Sequence, residues 1–287
     1  MIKNNKLKGI ICILLAAVGF SFMTFFVRIS GDLPTMQKAF FRNFVAMFVA
    51  IFALVKAKGN IKVEKENLLP LFFRCFFGTT GLIANFYAID RLGIADANML
   101  NKLSPFFAII LSIFILKEYP KRVDIIATII AFIGALFIIR PAGIPTETIP
   151  ALAGLFGGFG AGTAYVFVRK LGQNKVKTPV IVFYFSAFSC LVTLPFLIKD
   201  FVPMTMSQFL CLIMAGVSAS LGQFSITTAY KYAPAKEISV FDYTQVVFAA
   251  LLGIFFLDEV PSVLSVIGYV LIIGVAVYRW YINLKKE

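Results

Sequence analysis

Four residues able to hold a charge, Arg42, Arg74, Lys102 and Asp242, lie inside stretches that are otherwise apolar. A guanidinium is a planar fork suited to a carboxylate or phosphate, and an ammonium is a compact point charge. A carboxylate can pair with either, or take up a proton. Each charge at bilayer depth costs roughly 2.5–3.5 kcal/mol on insertion scales, so four facing lipid would cost on the order of 10 kcal/mol. They are therefore expected to face a wet or paired interior, which in a many-helix membrane protein is a solute pathway.

Spacing adds neighbours to these charges. Asn98, Asn101, Lys102 and Pro105 share one helical face. Pro105 has no N–H, and its ring displaces the carbonyl a turn earlier, at Asn101. That leaves a loosened carbonyl beside an amide and an ammonium. The bland alternative is a kink that only shapes packing, with Lys102 snorkelling outward. Arg74, Gly78, Gly81 and Asn85 also repeat at helical spacing, and the glycines let a solute or a neighbouring helix approach. Arg74 could instead snorkel to an interface, and Arg42 could serve a structural salt bridge or a headgroup. Asp242 could pair with Arg74 or Lys102, or carry a coupling proton. Tyr243, Gln245, Tyr165, Ser21, Thr24, Ser218, Gln223 and Thr227 are further candidate polar lining, although buried hydroxyls often bond only the preceding turn. Gly154, Gly158 and Gly162 read as a close helix-packing face.

Several chemistries are excluded or unsupported. Histidine is absent, which removes His-based metal sites, triads and imidazole relays. Cys12, Cys75, Cys190 and Cys211 stand singly in apolar segments and read as small buried hydrophobes. No Walker-type loop is present, so ATP is not used directly. No cofactor and no metal is expected. The net charge of +13 sits in short tethers between apolar runs, which signals topology and not a nucleic-acid partner.

The elements that must position these residues are membrane helices. The chain is 60% hydrophobic and 14% charged, with a mean hydropathy of +0.91, so its solvent is the lipid bilayer. At about 20 residues per span, its 287 residues allow about ten spans. They are expected near 9–28, 34–55, 68–89, 96–116, 122–140, 150–170, 178–198, 207–230, 236–257 and 261–282. The charge-free run Gly9–Val27 is longer than a typical signal core and reads as the first span. Basic residues cluster at Lys3–Lys8, Lys56–Lys65, Lys117–Arg122, Arg169–Lys177, Lys231–Lys236 and Arg279–Lys286. The opposite side holds only Arg28, Lys38, Arg91, Arg140 and Lys199, so both termini are expected in the cytoplasm. Trp280, Tyr278 and Tyr281 then form an inner interfacial anchor.

An internal repeat is visible. At one constant offset Gly81 aligns with Gly222, Ala88 with Ala229, Ala108 with Ala249, Phe114 with Phe255, Glu118 with Glu259 and Pro120 with Pro261. Each half, 1–145 and 146–287, holds five spans. An odd number makes the second half enter from the opposite side, so the repeats are inverted. The fold expected is an all-α multi-pass membrane protein of ten transmembrane helices in two inverted five-helix repeats.

Ten short duplicated helices resemble the drug/metabolite transporter superfamily, EamA type. The run Asn101–Phe107 ending in Leu116-Lys117-Glu118 is similar to that family's Pro-containing fourth helix. Asp242-Tyr243-Thr244-Gln245, ending in Leu257-Asp258-Glu259, is similar to its ninth. The resemblance implies a central cavity lined mainly by helices one, three, four, six, eight and nine, and solutes such as amino acids, nucleotide-related compounds and carboxylates. It places the chain in a cell membrane, a bacterial inner membrane. Three positive intramembrane charges against one negative favour an anionic or zwitterionic solute. The expected function is a secondary transporter, exporter or exchanger, of a small polar metabolite. Expected substrate-binding residues are Arg42, Arg74, Asn85, Asn98, Asn101, Lys102, Asp242, Tyr243 and Gln245, with Asp242 the candidate for proton coupling. A cationic drug exporter and a lipid-handling protein are the alternatives. An intramembrane enzyme lacks a catalytic constellation. A homodimer is left open.

Overall fold

A backbone amide left unpaired in hydrocarbon costs several kcal/mol, so apolar runs can cross lipid only as helices here. The computed structural model describes residues 2–57, 60–117, 122–139, 145–232 and 241–285, and every regular element among them is α-helical. In chain order these are α1 (Ile2–Ile29), α2 (Thr35–Lys56), α3 (Lys65–Arg91), α4 (Ile94–Asn101), α5 (Ser104–Ile115) and α6 (Arg122–Ile139). There follow α7 (Pro145–Gln173), α8 (Thr178–Lys199), α9 (Met206–Tyr232), α10 (Thr244–Leu257) and α11 (Val263–Lys285). Eight spans are long and apolar enough to cross a membrane, with Ile94–Ile115 counted as one. The shorter apolar stretches Ile125–Gly134 and Thr244–Leu257 supply the two that complete the ten expected. Phe48, Phe52, Phe114, Leu191, Ile198 and Phe255 point outward as large exposed hydrophobes, which suits an acyl-chain solvent.

The fourth span is two helices, not one kinked helix. The chain breaks at Lys102-Leu103, where Lys102 N–H reaches Asn98 and Leu103 N–H reaches only back to Leu100, at 3.2 Å. Pro105 sits in the first turn of α5, where its missing N–H is harmless. The ninth span matches this arrangement. Asp242 and Tyr243 precede α10, and the start expected at 236 falls on residues outside those described.

The duplication is visible in the packing. The main helix partners are α1 with α9 and α3 with α7, while α2 faces α8 and α6 faces α11. Exchanging the halves converts the first pairing into the second and returns the last two to themselves. Both crossings turn on glycine. A Cβ on Gly19 would stand 2.6 Å from the Gly222 nitrogen, and one on Gly160 would stand 2.7 Å from the Gly81 Cα. These are equivalent residues under the repeat. Equivalent too are Lys117 and Asp258, which end α5 and α10 in the left-handed conformation, at φ 54° and 53°.

One end of the bundle is tied by charges. Arg28 Nε lies 2.8 Å from a Glu259 carboxylate oxygen, and Arg28 also donates to the carbonyls of Ile89 and Asp90. The other Glu259 oxygen accepts from the Ile94 N–H at 2.7 Å, capping the N-terminus of α4. Lys38 pairs with Asp90 at 2.5 Å. Lys38 is 1% exposed, because the first turn of α2 lies against the end of α3.

Candidate functional site

The buried charges meet in one place. A central cavity of about 70 Å³ is lined by Arg42 of α2, Arg74 and Asn85 of α3, Asn101 and Lys102 at the α4–α5 break, and Gln245 of α10. Tyr165 of α7, Phe185 of α8, Gln223 of α9 and the apolar Phe20 and Met23 of α1 close it. That volume holds a few water-sized molecules. Helices one, three, four, six, eight and nine were expected to line it. The second and seventh spans join them, through Arg42 and Phe185.

Arg42 is 1% exposed and Arg74 2%, so neither snorkels. The Phe185 ring holds both, with its centroid 5.6 Å from the Arg42 guanidinium carbon and 4.2 Å from that of Arg74. A hydroxyl contact of 2.5 Å between Thr79 and Ser189 fixes α8 against α3 beside them. Gly78 leaves the room this needs. A Cβ there would collide with the Arg74 guanidinium and stand 2.9 Å from the Phe185 ring. Arg42 donates to the Asn43 side chain at 2.5 Å. Arg42 Nε, Arg74 Nε and the Asn85 amide oxygen are buried with no hydrogen-bond partner among the described residues. None of the ion pairs among those residues involves either arginine.

A cation over an aromatic face gains about 0.5–2 kcal/mol. Taking an ion out of water costs several kcal/mol even after relaxation. Phe185 therefore offsets only part of the cost of two buried guanidiniums.

Lys102 and Asp242 neutralise each other instead, although neither Asp242 carboxylate oxygen has a hydrogen-bond partner of good geometry among the described residues. Their ion pair is 2.6 Å long, with both side chains buried, and of the two only Lys102 reaches the cavity wall. Asn98 stands one layer back. Its amide donates to Ile94 O at 2.7 Å, and its oxygen accepts from the Gln245 amide at 2.6 Å. The Gln245 carbonyl in turn accepts from Ser21 Oγ at 3.0 Å, so α1, α4 and α10 are locked together behind the cavity. Tyr243 lies away from it, in an apolar cluster with Met99, Leu100, Leu103 and Ile272. Of the nine residues expected to bind solute, Arg42, Arg74, Asn85, Asn101, Lys102 and Gln245 line the cavity. Asn98 and Asp242 back it, and Tyr243 does neither. Phe185 was not foreseen, since its local sequence does not set it apart from the other phenylalanines.

Comparison with known proteins gives a consistent picture. A family model described as the EamA-like transporter family matches residues 7–140 and again 148–278. The pseudopaline exporter CntI of Pseudomonas aeruginosa is 33% identical over 275 residues, covering 95% of this chain and 96% of the exporter. Human solute carrier family 35 member G1 is 27% identical over 295 residues, covering 96% of this chain and 81% of that protein. A solved crystal structure superposes with a TM-score of 0.73 over 97% of this chain and 98% of its own, at 17% identity, which speaks to the fold alone.

Proposed function

The chain belongs to the EamA-like transporter family and is a multi-pass membrane transporter, and from that premise we propose that it is a secondary transporter of a small anionic or zwitterionic metabolite. One observation carries the reading: Arg42 and Arg74 face the central cavity, buried, with no acidic partner among the described residues. A cationic solute would meet an excess of positive charge there, which argues against the drug-exporter alternative. The pseudopaline exporter among the relatives supports export as the direction.

The two halves, 1–145 and 146–287, rock about the cavity in this scheme, with both termini in the cytoplasm of a bacterial cell. The charged end bearing Arg28 and Glu259 is then external. A doubled family match and the equivalent glycine crossings support that division. Asp242 carries the coupling proton, released from Lys102 when the pair opens. The test is flux in proteoliposomes reconstituted with purified protein. Arg74→Gln should lose most of the uptake of an anionic solute while eluting from gel filtration as the parent does. Undiminished flux would remove Arg74 from the site. Asp242→Asn should abolish acceleration by an imposed pH gradient.

A further inference from the structure

We propose that the solute is a small metabolite bearing two negative charges. This deepens the reading just given and rests on it. Within the cavity wall Lys102 is neutralised by Asp242, whereas Arg42 and Arg74 are not neutralised by any described residue. Two positive charges are therefore uncompensated in a site that both side chains reach. A monoanion would leave one guanidinium without a counter-charge. A zwitterion would bring an ammonium into a cavity that no described carboxylate lines, with Asp242 behind the wall paired to Lys102 at 2.6 Å. A dianion closes the balance.

Geometry favours the same class. Because both guanidiniums face one ring, at 5.6 and 4.2 Å from its centroid, they lie within about 10 Å of each other, a span that a short two-carboxylate chain reaches. The free Nε of each arginine is a donor awaiting an acceptor, and the Asn85 amide oxygen is an acceptor awaiting a donor. A hydroxyl on the solute would meet Asn85, which lies two helical turns beyond Gly78 on the arginine face of α3. A phosphate monoester with a hydroxylated tail presents the same charge on a single head, so the shared chemistry is the double negative charge together with a hydroxyl donor.

The full-length protein in detergent is melted against malate, succinate, glycerol phosphate, lactate, alanine and choline at matched ionic strength, and the same compounds are tested in counterflow. A ligand that binds the folded form raises the melting temperature. Malate or glycerol phosphate should bind at least about tenfold more tightly than lactate. Malate above succinate reads the Asn85 hydroxyl contact, and malate against glycerol phosphate separates two acidic heads from one. Arg42→Gln should collapse the malate-to-lactate ratio to below about threefold, whereas Arg42→Lys, which keeps the charge, should retain most of it. Lactate or alanine binding as tightly as malate would overturn the dianion assignment and leave the anion transporter standing. Binding by choline alone would overturn both. No response to any dianion in a protein that melts cooperatively would also overturn the assignment.

Discussion

Removing the Lys102 ammonium would strand the Asp242 carboxylate in a site with no exposure at all. Breaking a buried pair by deleting one partner typically costs about 3–5 kcal/mol, because the remaining charge is uncompensated. Lys102→Met should therefore lower the melting temperature sharply, and Asp242→Asn in the same chain should recover a large part of the loss. A double-mutant cycle by thermal melt reads the coupling; equal, additive losses would show that the two do not act as a pair. Gly78→Ala makes a different demand. Its methyl group falls on the Arg74 guanidinium and the Phe185 ring, and overpacking of this kind costs roughly 1–3 kcal/mol. Solute affinity should fall more than stability does, since the displaced group faces the cavity; titration of solute against the melt separates the two effects. At this scale the sequence was legible where charge made it costly to be wrong. Arg42, Arg74, Lys102 and Asp242 stand out from apolar surroundings, and all four are buried. Phe185 was not legible, being one of 33 phenylalanines with nothing local to separate a ring that seats two cations from one that meets lipid.

Helices set the distances between these groups, and glycine sets the distances between helices. Gly19 and Gly160 occupy equivalent places in the two halves, each against the backbone of a partner helix at Gly222 and Gly81. Ala at either position must push helices apart, since the obstacle is main chain and not the flexible end of a side chain. Gly19→Ala and Gly160→Ala should each destabilise the protein by about 1–3 kcal/mol. Gly172, near the end of α7, has open space where a Cβ would stand, with nothing within 4 Å, so Gly172→Ala should be neutral or stabilise by about 0.4–1 kcal/mol through the unfolded chain. Melting temperatures of the three variants check the contrast, and equal effects at Gly19 and Gly172 would contradict the packing argument. Most spans were legible as apolar runs of membrane length bounded by basic tethers. The break at Lys102-Leu103 was half legible: Pro105 signalled a disturbed helix, but proline alone does not distinguish a bend from a stop. The glycine pairing of α1 with α9 was hidden, because a small residue in one helix does not name its partner in another.

The exchange of halves makes a demand on the whole molecule. Arg28 and Glu259 bind one end of the bundle, joining α1, the end of α3, the start of α4 and the end of α10. The sequence offset that pairs Glu259 with Glu118 also pairs Arg28 with Arg169, and Glu118 lies outside the described residues. In an inverted repeat, equivalent positions fall on opposite faces of the membrane. In the proposed rocking scheme the two glutamates act in opposite senses: removing either charge favours opening at its own face alone. Arg28 is about a third exposed, so solvent screening holds the Arg28–Glu259 pair to about 1 kcal/mol, a population shift of roughly fivefold. Glu259→Gln keeps an oxygen for the Ile94 N–H while removing the charge, which isolates the ion pair from the helix cap. In a cysteine-free chain carrying Gln223→Cys in the cavity wall, labelling by a membrane-impermeant thiol reagent should rise several-fold from the external face with Glu259→Gln and from the cytoplasmic face with Glu118→Gln. Labelling that rises from the same face in both variants would refute the inverted arrangement, because two positions related by a two-fold axis in the membrane plane cannot gate one opening.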